Sequence, residues 1–212
     1  MTGPFINDII YIMKYKKLKE VVDFLNSKNI SISEEHGDGR INSVVDEKTI
    51  IDTLIKEYGS ENIVEPIVRH WFDVKIFDNP VNIKVSAFKT ADNFSSKRAL
   101  LYSLTNLSEN EIEKVNTWFD FQEKVKLGKS IDNNRDYHCI VLNKQTNEVI
   151  LQGLKTLTKL TPNGNNLLFQ INWKYNKEII NRKHKEAYNF LINTYKESVT
   201  KKVSVHAGYQ TL

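Results

Sequence analysis

Asp73, Asn82 and Lys84 fall within one short stretch, RHWFDVKIFDNPVNIKVSAFK (69–89), and their types and spacing could do chemistry together. The stretch reads as two strands joined by a tight turn. Residues 70–77 are rich in aromatic and β-branched types, which suit a pleated strand. Asp78, Asn79 and Pro80 supply the turn, since Asp and Asn tolerate tight backbone angles and Pro has a fixed φ and no N–H. Residues 81–87 then alternate, with Val81, Ile83 and Val85 on one face and Asn82, Lys84 and Ser86 on the other. Asp73 on the first strand and Lys84 on the second can therefore converge on one metal-bound phosphate. The bland reading is that Asn82 and Lys84 are exposed residues of an edge strand.

Such a hairpin needs a body to hold it. The chain has 212 residues, enough to bury most of its apolar surface in a single domain spanning 1–212. With 40% hydrophobic and 26% charged residues it has the make-up of a soluble globular protein. No apolar run approaches the roughly 20 residues that span a bilayer. Lys14, Lys16 and Lys17 follow the first apolar stretch, where a signal peptide would place its charges before it. A cytoplasmic protein without a membrane partner is expected. The single cysteine, Cys139, excludes an internal disulfide and a multi-cysteine zinc site, and in YHCIVL it reads as a buried structural thiol. His70, His138 and His184 have no metal-like spacing and read as structural.

The net charge of +4 is mild, but it is unevenly spread. Residues 31–65 hold nine acidic against three basic side chains, and residues 174–202 hold eight basic against three acidic. An acidic region near a metal site and a basic segment for phosphates would fit together. The basic segment alone would equally suit the wet face of an amphipathic helix.

Periodicity places the elements. A first helix is expected from Asn7 or Asp8 to about Asn26, and a second from Val45 or Asp46, with Ile50, Ile51, Leu54 and Ile55 as its apolar stripe. Glu47 then falls in the second helix's first turn, where it would complement the helix dipole. After the hairpin, 89–95 reads as a polar loop and 95–104 as a helix. Ser108 and Glu111 form a capping box opening a helix to Lys126. Strands are expected over 137–143, 149–157 and 167–173, with a loop over 161–166. Asn181, Arg182 and Lys183 lead into a final helix, and the tail from Ser204 reads as loose or as an arm.

The hairpin resembles the active site of the PD-(D/E)xK nucleases, the superfamily of most type II restriction endonucleases. Asp73 takes the first position of that motif and Lys84 the last, while Asn82 stands where a second carboxylate is usual. The resemblance extends through GRINSVVDE (39–47), WFDVKI (71–76), PVNIKVS (80–86), TADN (90–93) and NNLLFQINW (165–173), in order across about two-thirds of the chain. It implies an α/β fold with a single mixed central β-sheet flanked by helices. It also implies a Mg²⁺-dependent enzyme that cuts double-stranded DNA at a short palindromic site as a homodimer.

On that resemblance Asp73 is the essential metal ligand, Ile83 adds its carbonyl, and Lys84 lies against the scissile phosphate to orient or deprotonate the attacking water. Asn82 can ligate a metal through its amide oxygen but brings no charge. Glu47, 26 residues before Asp73, would supply the missing carboxylate; without it the chain would be an inactive DNA-binding relative. Base reading would fall to Asn163, Asn165, Asn166, Gln170 and Asn172, because Asn and Gln can pair with adenine. Asp92 and Asn93 would contact DNA or a partner subunit, or cap the next helix. Lys174, Arg182, Lys183 and Lys185 would hold phosphates.

Overall fold

The computed structural model describes residues 4–28, 30, 39–67, 70–94, 97–164 and 169–209, with the side chains of 4–12, 39–44 and 204–209 outside the description. These residues divide into two compact units, Met1–Ala87 with Tyr137–Gln152, and Phe88–Asp136 with Gly153–Leu212. The chain begins in the first unit with α1 (Pro4–Ser27), α2 (Gly39–Tyr58), β1 (Ile63–Val64), β2 (Val74–Ile76) and β3 (Asn79–Ser86). It passes into the second with β4 (Asp92–Phe94), α3 (Lys97–Leu104), α4 (Glu109–Glu113) and α5 (Trp118–Val125). It returns with β5 (His138–Asn143) and β6 (Val149–Gly153), and ends in the second unit with β7 (Thr161–Pro162), β8 (Phe169–Ile171) and α6 (His184–Tyr209).

The protein is mixed α/β. The first unit is built on a five-stranded sheet in the order β1-β2-β3-β5-β6. β1, β2 and β3 run antiparallel in turn, and β3 pairs parallel with β5. Helices α1 and α2 lay Leu18, Val21, Leu25, Ile50 and Leu54 against Val74, Ile76, Val81, Ile83, Ile140 and Leu142 of the sheet. The helix residues recur at three- and four-residue steps and the strand residues at two, so each element turns one face to this core. Val81 and Ile83 are fully buried in it, which commits Asn82 and Lys84 to the other face of β3. Asn26, near the end of α1, binds both the N–H and the carbonyl of Val149 and so ties the helix to β6.

Several boundaries differ from the sequence reading. Helix α2 starts at Gly39, so Glu47 lies two turns inside it and is not a helix-end charge. The 89–95 stretch is not all loop, because β4 pairs with β8 and extends a three-stranded sheet, β4-β8-β7, in the second unit. The helix expected from Ser108 to Lys126 is broken in two, and the second piece carries its own capping box, Thr117 with Asp120. Residues 154–156 and 173–175 close strands with 3-10 turns. The backbone of α6 runs on to Tyr209, past the Ser204 at which a loose tail was expected. Among the described residues no helix is long and apolar enough to cross a membrane.

The second unit holds a buried polar hub. The Asp136 carboxylate accepts hydrogen bonds from Ser103 Oγ (2.9 Å) and from the Lys155 N–H (3.0 Å), and a Cβ at Gly153 would collide with it. Lys155 Nζ donates to the carbonyl and side-chain oxygens of Asn133 (2.8 and 2.7 Å) and lies 3.4 Å from His184 Nδ1. Burial brings Lys155 down from 10.5 to about 8, against the upward pull of Asp136. Between those values the unfolded chain holds a proton that the folded chain has released, so stability rises with pH across that window and is flat below it. The full span is of the order of 3 kcal/mol. Lys155→Met is expected to remove this rise from chemical-denaturation curves taken between about pH 8 and 10.5; parallel curves for the two proteins would contradict it.

Candidate active site

The hairpin turn begins one residue earlier than its sequence suggests and ends at Asp78. Phe77 and Asp78, at φ 47° and 61°, are the two turn residues, and Asn79 and Pro80 already belong to β3. Positive φ at both positions matches the twist of the flanking strands. Asp tolerates that geometry, and Phe77 is held in it by Tyr58 edge-on at 5.6 Å and by Lys17 over its ring at 4.6 Å. The Asn79 side chain donates to the carbonyls of Ile76 and Phe77 (3.0 and 3.1 Å). Pro80 is tolerated because the pairing of β3 with β5 begins one residue later, at Val81.

The register that follows fixes the site. Val74 opposes Val81, and Asp73, just before β2, donates its own N–H to the Val81 carbonyl at 3.0 Å. Its side chain therefore meets the next residues of β3. Oδ2 of Asp73 accepts from Asn82 Nδ2 (2.5 Å) and from the Ile83 N–H (2.8 Å), and neither bond uses Oδ1. Lys84, two residues further on the same face, places Nζ 3.2 Å from Oε1 of Glu47 on α2. Asp73, Asn82, Ile83, Lys84 and Glu47 are thus brought to one place, half-buried apart from Ile83, which is buried.

The charges oppose one another usefully. Burial raises Asp73 above the ordinary carboxylate range, although Lys84, the Ile83 N–H and Asn82 all pull it back. For Lys84, burial favours the neutral amine, but Glu47 and Asp73 together outweigh it and leave the ammonium above its ordinary value. A lysine held in this way rests as a cation and a donor, suited to a phosphoryl oxygen, and is not a resting base.

Asn82 supplies the observation that bears on a metal. Its Nδ2 is engaged, while its Oδ1 is buried and has no hydrogen-bond partner. An orphaned buried acceptor is unfavourable unless something electropositive meets it. Asp73 Oδ1, Asn82 Oδ1 and the Ile83 carbonyl are hard oxygen donors of the kind Mg²⁺ takes, with water completing its shell. Among the described residues no three His, Cys, Asp or Glu side chains gather around one point. Any metal here would rest on one carboxylate and neutral oxygens, with Glu47 turned to Lys84.

Two further residues enter from β5 and its approach. Cys139 is the register partner of Asn82, so the buried thiol lies beside the site. Tyr137, two residues earlier and buried, donates its hydroxyl to the Trp71 carbonyl at 3.0 Å. Alternation through YHCIV carries the signal that could have found it, because Tyr137 and Cys139 share a face.

The second unit brings together some of the proposed base readers and gives others work in the fold. Asn93 and Gln170 are register partners across β4 and β8, and Asn93 Oδ1 accepts from both Gln170 Nε2 and Asn163 Nδ2 at 3.3 Å. Asp92 binds the Trp173 indole N–H at 2.5 Å, and Asn172 caps the turn at Lys174 N (3.0 Å). Arg182 donates to the carbonyls of Lys155 and Leu157 (3.0 and 2.7 Å) and stacks on Phe190. Lys174, Lys183 and Lys185 are exposed. Asn165 and Asn166 lie outside the described residues.

Fold and site together define a mixed α/β protein whose central hairpin joins a carboxylate, an amide and a charged lysine. No protein-family model matches the chain, and no curated protein matches it. Among solved structures it is similar to a restriction endonuclease in complex with substrate DNA, at 18% identity and a TM-score of 0.27. The match covers 65% of this chain and 56% of that one, so the chain spans little more than half of that structure's length. So distant a likeness carries no weight here, and the site is read from its own geometry.

Proposed function

We propose that this chain is a metal-dependent deoxyribonuclease, specifically a type II restriction endonuclease that cuts double-stranded DNA at a short palindromic sequence. The observation that carries the reading is the convergence of Asp73, the orphaned Asn82 oxygen and the Lys84 cation on one hairpin. Asp73, Asn82 and the Ile83 carbonyl would hold Mg²⁺, which when bound supplies charge relief at the phosphoryl oxygens and acidifies water. Lys84 binds the scissile phosphate, orients the attacking water and stabilises charge that grows in the transition state. Glu47 keeps Lys84 protonated and aimed. A palindromic target would be met by a homodimer whose two-fold axis matches that of the DNA.

Glu47→Gln separates this role from ligation. It is expected to slow cleavage about tenfold while leaving the Mg²⁺ midpoint within about twofold. A parallel loss of metal affinity would make Glu47 a ligand. In the basic segment, neutralising Lys183 and Lys185 together is expected to flatten the slope of log K against log salt by about one to two units. An unchanged slope would place the DNA elsewhere.

The missing second carboxylate favours one other reading, a DNA-binding relative that no longer cuts. Specific binding that is indifferent to Mg²⁺, with no cleavage, would identify it.

A further inference from the structure

We infer that Lys159, Lys174 and the Tyr175 hydroxyl form a clamp for a backbone phosphate of duplex DNA, built into the second unit. This deepens the DNA-cutting reading above and rests on it. Tyr175 is 54% exposed although its neighbours in the turn, Trp173 and Asn176, are 1% and 0% exposed. The Lys159 ammonium lies 5.3 Å from the centre of its ring and the Lys174 ammonium 6.0 Å, both within reach of the ring's attraction for a cation. Among the described residues neither lysine makes an ion pair. Residues 156–178 hold three lysines against one acidic residue, Glu178.

Exposed lysines are ordinarily free to wander, but the backbone beneath these two is fixed. Asn176 accepts the Lys159 N–H on Oδ1 (2.9 Å) and donates Nδ2 to the Lys159 carbonyl (3.0 Å), as a neighbouring strand would. The same Nδ2 donates to the Asn172 carbonyl at 2.8 Å. Asn172 Oδ1 accepts the Lys174 N–H (3.0 Å), and the Tyr175 N–H donates to the Asn172 carbonyl (3.1 Å). Thr158 Oγ1 to the Glu178 carbonyl (3.2 Å) and the Ile180 N–H to the Thr156 carbonyl (3.0 Å) join the same two segments further along. Lysines 15 positions apart are thereby brought to one ring.

Two ammoniums beside one ring repel each other, and a shared anion turns that repulsion into attraction. The phenol O–H adds a neutral donor, so the three groups suit the oxygens of a phosphodiester. Tyr175 and both lysines are exposed and do not enclose a free ion. A duplex, with one charge per roughly 1.7 Å of its axis, brings phosphates to such an open surface. Lys174 follows Gln170 by four residues, so the clamp stands at the end of the strand that carries a proposed base reader. Its work would be to hold the duplex in register, not to read it.

Titrating a short random-sequence duplex onto the full chain in chelator, over a range of salt, tests this. Lys159→Gln with Lys174→Gln is expected to flatten the slope of log K against log salt by about one to two units. Lys114→Gln with Lys124→Gln removes the same charge from exposed positions on α4 and α5 and should move the slope by less than about half a unit. Tyr175→Phe should weaken binding about threefold to tenfold with the slope unchanged, because the lost donor is neutral. Equal flattening by both lysine pairs would mean net charge alone and overturn the inference, as would no flattening by either.

On the unaltered protein, reductive methylation read by mass spectrometry should be slowed at Lys159 and Lys174 by the duplex and not by inorganic phosphate. Protection by inorganic phosphate, or by neither, would overturn the clamp. A protein that binds no duplex at all takes the nuclease reading down with it. One that cuts DNA while both lysines stay unprotected sinks this inference alone.

Discussion

Lys84→Ala is expected to slow DNA cleavage by at least about 10²–10³, the range for losing one preorganised donor at a developing charge, while specific binding stays within about tenfold. Lys84 is held as a cation by Glu47 at 3.2 Å and by Asp73, so its charge is in place before substrate arrives. Its contribution grows as negative charge builds on the phosphate, which is why binding should suffer less than rate. Lys84→Arg is not expected to rescue, because a planar guanidinium cannot occupy the same point and would disturb the pair with Glu47. Single-turnover cleavage and a binding titration in Ca²⁺ separate the two quantities. Equal losses in both would make Lys84 a phosphate contact and nothing more.

Asp73→Asn is expected to abolish metal-dependent cleavage and to leave the fold as stable as before, or more so. The amide retains an oxygen for the Ile83 N–H, the bond that closes the site at 2.8 Å. It removes the only side-chain carboxylate proposed for the metal. The sign of the stability change follows from the raised pKa of Asp73. Burial makes the ionised carboxylate less favourable in the folded protein than in the unfolded chain, so at neutral pH a neutral replacement relieves that penalty. Activity and stability should then move in opposite directions, as at sites where function requires a buried charge. Thermal melts beside a Mg²⁺ titration test this. A large loss of stability would mean that Asp73 serves the fold.

What the sequence revealed and what it hid follow from the range of the interactions. The alternation through Val81, Asn82, Ile83 and Lys84 is a local signal with period two, and it placed Asn82 and Lys84 on one face, away from the core that takes Val81 and Ile83. The turn was misplaced because Phe77 is a poor turn residue by type; only its contacts with Tyr58 and Lys17, far off in sequence, explain why it takes φ 47°. The Glu47 to Lys84 pair spans 37 residues and depends on α2 beginning earlier than its apolar stripe. Strand β4 carries the polar sequence DNF and has no strand signal of its own; it is a strand because β8 pairs with it. The place of Cys139 beside Asn82 arises from parallel pairing of β3 with β5, and no local pattern encodes which strands become neighbours.

On the proposed function, this hairpin cuts phosphodiester bonds with the help of a metal. Digestion of a mixed-sequence plasmid by the purified chain, with Mg²⁺ and then with excess chelator, tests it most directly when Lys84→Ala is run alongside. Discrete fragments are expected from the unaltered protein in Mg²⁺, none in chelator, and none from Lys84→Ala under matched conditions. Intact plasmid in every lane, despite specific binding of the same DNA, would contradict it, as would fragments that persist in chelator or with Lys84→Ala.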